Sequence, residues 1–261
     1  MNQSGPGTVP PIRVGLFVTC LVDMFRPSVG FATIKLLEQA GCQVEVPKTQ
    51  TCCGQPAFNS GDPSSARAVA LAWLDEFQDF DHVVVPSGSC AGMLSRHLLD
   101  LFSDDPVNGP KAKHLSARVH ELTAFLVDVL GADLVPVHWG GPVTYHDSCA
   151  GLRELGVKLQ PRGLLASVQG LELREMTEAE VCCGFGGTFC VKYSDISNAM
   201  ATNKLRDAET SGGDTVLAGD LGCLLHMAGK GSRENSPLAF RHVAEVLAGM
   251  CETPPIAETG G

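Results

Sequence analysis

Cys182-Cys183-Gly184-Phe185-Gly186-Gly187 sets two adjacent thiols directly before a run of glycines, and Cys52-Cys53-Gly54 is an earlier echo of it. Neighbouring cysteines do not readily bridge each other, and a single such doublet is most simply a pair of small buried hydrophobes. The remaining cysteines change that reading. Cys149, Cys182, Cys183 and Cys223 follow Cys20, Cys52, Cys53 and Cys90 by 129, 130, 130 and 133 residues. The chain is a duplication, and each copy carries one thiol, an adjacent pair and one more. A period this long far exceeds a solenoid unit and describes two copies of one α/β module.

The residues around the cysteines repeat in a common order. Residues 14–19 are short, apolar and β-rich and run into Cys20; a helical pattern over 27–40 follows, with Phe31, Ile34, Leu37 and Ala40 near one face. A strand at 44–46 precedes Cys52 and Cys53. Asp62-Pro63 has the form of an N-cap with proline at the first helical position, ahead of Val69, Ala70, Trp73, Leu74 and Phe77. A strand at 83–85 leads to Cys90, a helix spans 91–102, a polar loop spans 104–113, and a helix spans 117–130. The second copy is read as strand 143–146, Cys149, a helix near Gly163, strand 171–176, the doublet, a helix carrying Ile196, Ala199, Met200, Leu205 and Ala208, strand 215–218, Cys223 and a helix over 238–250. The tail after Cys251 reads as frayed.

Short apolar strands alternating with helices imply parallel strands joined by right-handed crossovers. The expected fold is α/β: two duplicated modules with parallel sheets flanked by helices, related by a pseudo-twofold, with repeats at 12–131 and 132–251. In such sheets ligands bind beyond the carboxyl ends of the strands. All eight repeat cysteines fall there, so each quartet can converge although its members lie far apart in the chain.

Composition narrows the function classes. A formal net charge of −10 with 18% charged residues argues against a nucleic-acid surface, which needs clustered Lys and Arg. No run of apolar residues is long enough for a membrane span. Residues 1–11 have neither the charged end nor the apolar stretch of a secretory signal and read as a loose tail. Eleven cysteines, an odd number, in a long chain without such a signal point to reduced thiols used as ligands in a cytoplasm.

Four thiolates hold an iron–sulfur cluster, whose several iron corners let even adjacent cysteines contribute. Glycines beside them let backbone N–H groups approach sulfur, and such hydrogen bonds tune the reduction potential. Phe185 and Phe189 are candidates to shield the group. A structural zinc is the alternative, although zinc ligands usually enter as short CxxC pairs, absent from both quartets. Buried structural thiols are the third reading.

Taken together, Tyr145-His146-Asp147-Ser148-Cys149, Cys182-Cys183-Gly184-Phe185-Gly186-Gly187-Thr188-Phe189 and Val191-Lys192-Tyr193, with the two quartets, resemble the cysteine-rich CCG domain proteins. These include the cysteine-rich component of heterodisulfide reductase, glycolate oxidase iron–sulfur subunits and, most similar, the lactate utilization protein A family. The resemblance spans residues 12–250. It implies a cytoplasmic iron–sulfur, electron-transfer subunit of a multi-protein system oxidising L-lactate to pyruvate, acting beside a ferredoxin-type iron–sulfur protein and a third small subunit. It also implies that Cys20, Cys52, Cys53 and Cys90 ligate one cluster and Cys149, Cys182, Cys183 and Cys223 the other, with one [4Fe–4S] expected per repeat. The heterodisulfide reductase pattern ends in CxxC and uses a fifth cysteine; here Ser87 or Met93 and Asp220 or His226 stand in those places. A glycolate oxidase subunit and a thiol–disulfide oxidoreductase remain the alternative functions.

Cys42 reads as core at the start of a strand. Cys190 is either packing or an exchangeable ligand near the second doublet, and Cys251 carries no assignment. His146 and His226 each sit three residues from a quartet cysteine and are candidates to tune a cluster or relay a proton, or else are hydrogen-bonded core. Lys192 and Arg153 are candidates to counter its negative charge. Gly184-Phe185-Gly186-Gly187 lacks the context of a dinucleotide fingerprint, so hydride chemistry is expected from a partner.

Overall fold

Eight short strands form two four-stranded sheets. β1 (Arg13–Leu16), β2 (Gln43–Glu45), β3 (His82–Val85) and β4 (Val119–Glu121) lie in the order β2-β1-β3-β4. β5 (His138–Tyr145), β6 (Gln169–Leu173), β7 (Thr215–Ala218) and β8 (Ala239–His242) lie in the order β6-β5-β7-β8. Every pairing is parallel, so the chain folds as α/β in two matching modules. In the computed structural model the described residues are 10–258, and the amino-terminal tail lies outside them through residue 9.

The strand order reverses between β1 and β3, and again between β5 and β7, which opens a crevice at the carboxyl ends of those strands. The modules meet reciprocally. The helix Gly88–Gly92, after β3, packs on the helix Cys149–Leu155, after β5; in return the helix Leu221–Glu234, after β7, touches the helix Cys20–Phe25, after β1. That exchange of equivalent elements is what a pseudo-twofold arrangement requires. One apolar core, from Val14 and Leu36 through Leu126 to Val143, Leu217 and Val246, runs continuously through both sheets, and a second fills the outer face of the first around Phe17, Phe77 and Leu98.

Several elements differ from the sequence reading. Residues 117–130 and 238–250 are not single helices: each begins with the outer strand of its sheet, β4 or β8, and turns into a helix directly. Glu121 accepts from the N–H groups of Thr123 and Ala124 (2.8 and 3.0 Å), and His242 Nδ1 accepts from that of Ala244 (3.2 Å). With no intervening loop, the apolar spacing of the helix runs into that of the strand and hides it. The loop expected at 104–113 contains the helix Asn108–Ser116, started by Asp105, whose carboxylate takes the N–H groups of Val107 and Asn108.

On the helix Pro27–Gln39 the buried face is Val29, Ala32, Thr33, Leu36 and Leu37, while Phe31 is 62% exposed. The Asp62 cap is present, accepting from the N–H of Ser65 at 3.0 Å. The carboxyl-terminal segment through residue 258 is anchored: the Ile256 N–H donates to the Phe240 carbonyl (2.9 Å) and Arg241 donates to the Thr253 carbonyl (2.7 Å). Residues 259–261 lie outside the described residues.

Candidate metal centres

Each quartet is assembled by the same four local devices. Cys20 and Cys149 are the first residues of short helices capped by Thr19 and Ser148. Cys90 and Cys223 lie in the first turns of helices capped by Ser87 and Asp220. The doublets sit in the loops after β2 and β6, ending in Gly54 and Gly184 at φ +87° and +92°. That left-handed conformation suits glycine, and it turns each glycine N–H back onto the first thiol of its doublet. Gly54 N lies 3.4 Å from Cys52 Sγ and Gly184 N 3.4 Å from Cys182 Sγ.

The sulfurs converge. Cys53 Sγ is 3.3 Å from Cys90 Sγ, and Cys52 lies in hydrogen-bonding contact with both Cys20 and Cys53. In the second module Cys182 is in the same contact with Cys149 and Cys183, and Cys183 with Cys223. Hydrogen bonds from Cys20 and Cys53 hold the Cys52 thiol far below the ordinary range, while the bond to Cys52 pushes Cys20 up. Cys182 and Cys149 repeat the pattern.

Both quartets open into cavities. One, of about 240 Å³, exposes Cys20, Cys52, Cys53 and Cys90; the other, of about 260 Å³, exposes Cys149, Cys182, Cys183 and Cys223. Gln55, Ser89, Phe185, Gly187 and Asp220 line both, so the two cavities share a wall at the crevice between the modules. The residues fit a multi-metal inorganic group. Four sulfurs face one space in each module, a backbone donor is aimed at one of them, and adjacent cysteines can each serve a separate metal corner. A single tetrahedral ion would have to take both members of a doublet from neighbouring residues.

The other expected residues divide. Phe185 lies between the cavities, with its ring against Gly222, where an added Cβ would meet it at 2.5 Å. Phe189 turns away and packs on Tyr193, centroids 5.3 Å apart. Cys42 is buried core, Cys190 directs its thiol to the Gly187 carbonyl (3.2 Å), and Cys251 faces the Glu245 carbonyl. Arg153 lines the second cavity, whereas Lys192 is exposed. Of the residues at the alternative fifth-thiol places, Ser87 and Asp220 are hydrogen-bonded to each other at 3.2 Å, Met93 is buried core, and His226 Nε2 lies 3.2 Å from Ser197 Oγ.

His146 is fully buried, with a ring nitrogen within 4.8 Å of the sulfurs of Cys183 and Cys223. Neither ring nitrogen has a hydrogen-bond partner of ordinary geometry; the Ala179 backbone lies close without completing one. Burial, and then the Lys204 ammonium, pull its pKa down to about 3, so the ring is neutral. Lys204 was missed in the sequence because it sits at a core position of the helix Ser194–Thr210, where an amphipathic pattern predicts an apolar side chain. It is 2% exposed, with Nζ donating to the Glu178 carbonyl and 3.8 Å from Asp207. The expected apolar member of that helix, Ile196, is 58% exposed.

Comparison with known proteins agrees with this architecture. The sequence model of the cysteine-rich domain family matches residues 14–95 and 143–228, one segment per sheet. Lactate utilization protein A of Geobacillus kaustophilus is 47% identical over 236 residues, covering 90% of this chain and 98% of that protein. Its namesake from Bacillus subtilis is 44% identical over 236 residues, covering 90% and 99%. A crystal structure of a hypothetical protein from Helicobacter pylori shares the fold, with a TM-score of 0.67 and 14% identity; the match covers 94% of this chain and 50% of that one. The duplicated thiol quartets and the near full-length identity lead to one assignment: the chain belongs to the lactate utilization protein A family of cysteine-rich domain proteins.

Proposed function

We propose that the chain is the iron–sulfur, electron-transfer subunit of a cytoplasmic multi-protein system that oxidises L-lactate to pyruvate. Cys20, Cys52, Cys53 and Cys90 ligate one cluster and Cys149, Cys182, Cys183 and Cys223 the other, each a [4Fe–4S], in repeats spanning 12–131 and 132–251. The observation that carries this reading is the convergence of both quartets, each with a glycine N–H on a doublet sulfur, onto cavities with a common wall. The relatives' name directs it to lactate.

When bound, iron–sulfur clusters supply one-electron transfer. The chain's own residues do the rest. The helix starts at Cys20 and Cys149 and the N–H groups of Gly54 and Gly184 stabilise negative charge on sulfur. Phe185 and Leu221 give the first cavity an apolar wall. Lactate oxidation itself falls to the partners, a ferredoxin-type iron–sulfur protein and a third small subunit. The lack of a cysteine at Ser87, Met93, Asp220 or His226 counts against the thiol–disulfide reductase alternative.

Iron and acid-labile sulfide assay after anaerobic purification, with EPR of the dithionite-reduced protein, tests the ligand assignment. The expected result is two clusters per chain, one lost in Cys53→Ser and the other in Cys183→Ser. Metal-free or zinc-loaded protein that still supports lactate oxidation with its partners rules the reading out.

A further inference from the structure

The two quartets have matching sulfurs but unlike surroundings. Phe17 and His146 are equivalent: each follows the central strand of its sheet, and its N–H donates to the neighbouring strand, Phe17 to Val84 (3.0 Å) and His146 to Leu217 (2.8 Å). Both are fully buried. The helices over the doublets also superpose in register. Their buried sets, Ala66, Ala70, Trp73, Leu74, Phe77 and Ser197, Ala201, Lys204, Leu205, Ala208, have identical spacing, which pairs Trp73 with Lys204. Four residues beyond the first cysteine of each copy, Met24 pairs with Arg153.

At two of the three places the first module has an apolar side chain, and at the third the uncharged indole of Trp73, whose N–H is buried without a partner; the second module has an imidazole or a cation at each. Phe17 and Trp73 both pack on Phe77, centroids 5.7 and 5.6 Å away. His146 instead places a ring nitrogen within 4.8 Å of the Cys183 and Cys223 sulfurs, and Arg153 lines the same cavity. An imidazole carries at least one N–H in either charge state, and in a fully buried site that donor needs an acceptor. Neither ring nitrogen has a completed hydrogen bond; the Ala179 backbone lies close, and the Cys183 and Cys223 sulfurs lie within 4.8 Å of one nitrogen.

Reduction of a thiolate-bound cluster adds negative charge, and donors to sulfur and nearby cations favour the reduced form. Resting on the iron–sulfur reading above, we propose that the two centres are electronically unequal. His146 is a positioning residue that donates to the second centre's sulfurs and, with Lys204 and Arg153, makes it the easier of the two to reduce. An electron entering at the first centre is drawn to the second: one centre loses one electron, the other gains it, and no proton need move.

EPR-monitored potentiometric titration of the full chain, after its iron and sulfide have been counted, tests this. Two midpoints are expected, differing by tenfold or more in reduction equilibrium constant, about 59 mV for one electron. The higher disappears in Cys183→Ser and the lower in Cys53→Ser. His146→Phe lowers the higher midpoint by a similar amount and leaves the lower unchanged, and His146→Gln, which keeps an N–H, restores part of the shift. Phe17→His raises the lower midpoint, and decides the matter if His146→Phe does not fold. Coincident or reversed midpoints overturn the inequality, and potentials that ignore these exchanges overturn the role of His146; either outcome leaves the iron–sulfur reading intact. Absence of iron and sulfide removes that reading itself.

Discussion

Asp220 of the second module accepts a hydrogen bond from the backbone N–H of Ser89 in the first, at 2.9 Å. The same oxygen accepts from Ser87 Oγ at 3.2 Å, and its partner oxygen caps the helix Leu221–Glu234 through the Gly222 N–H at 3.1 Å. One buried carboxylate thus ties the cap of the Cys223 helix to the turn that carries Cys90. Asp220→Ala should lower unfolding free energy by roughly 2 kcal/mol, from a lost cap and unsatisfied donors. Asp220→Asn, which keeps one acceptor, should cost less. Urea unfolding measures both, and equal losses would show that the carboxylate does not join the modules.

A second tie is the ion pair Arg26–Glu245, with side chains 7% and 0% exposed and Nε 2.8 Å from Oε1. Ser28 Oγ also donates to Glu245 at 2.6 Å. Breaking a buried pair leaves an uncompensated charge, so Arg26→Met should cost about 3–5 kcal/mol. Arg26→Met with Glu245→Gln should cost less than the two single changes added, with a coupling of about 1–3 kcal/mol in a double-mutant cycle. Additive losses would dismiss the pair as an interface tie.

The glycines after the doublets are equivalent in φ but not in room. A Cβ on Gly184 would lie 2.7 Å from the Ser197 carbonyl oxygen, whereas on Gly54 the nearest atom, the Ala66 carbonyl oxygen, is 3.3 Å away. Both alanine variants incur the left-handed strain of roughly 1–3 kcal/mol. Gly184→Ala should lose about 1 kcal/mol more than Gly54→Ala and should lose iron from the second centre preferentially. Chemical unfolding and metal analysis of the two variants decide it.

Adjacent residues on β4 titrate in opposite senses. Burial, then the nearby His82 (Nδ1 3.0 Å from His120 Nε2), lowers the pKa of His120 from 6.5 to about 4. Its contribution to stability is present above pH 6.5 and is lost as pH falls towards 4. Burial raises Glu121 from 4.5 to about 7, so its contribution is present below pH 4.5 and is lost as pH rises through 7. Relative to the parent, His120→Asn should gain stability on acidification from pH 6.5 to 4. Glu121→Gln, which keeps an acceptor for the cap, should gain on alkalinisation from pH 4.5 to 7, by at most about 3 kcal/mol. Unfolding curves across pH 4–8 read both slopes, and parallel curves for parent and variant would refute the corresponding assignment.

Cysteine spacing, glycine placement and the alternation of apolar runs are local properties, and they were enough to specify two α/β repeats with a thiol quartet beyond the strands of each. Cys-Cys-Gly could be read because a left-handed residue after a doublet has few other solutions than glycine. The outer strands β4 and β8 were hidden because each passes into a helix without a loop, at Glu121 and His242. Whether a three- or four-residue stretch such as Val119–Glu121 or Ala239–His242 pairs as a strand depends on the neighbour it finds, Val83–Val85 or Thr215–Ala218, which lies elsewhere in the chain. The same holds for the site. The common wall of Gln55, Ser89, Phe185 and Asp220, and the burial of His146 and Lys204 near one quartet while Phe17 and Trp73 pack in the core beside Cys53 of the other, follow from how the modules dock and which helix face turns inward. Those are properties of packing between distant segments, and no local pattern encodes them.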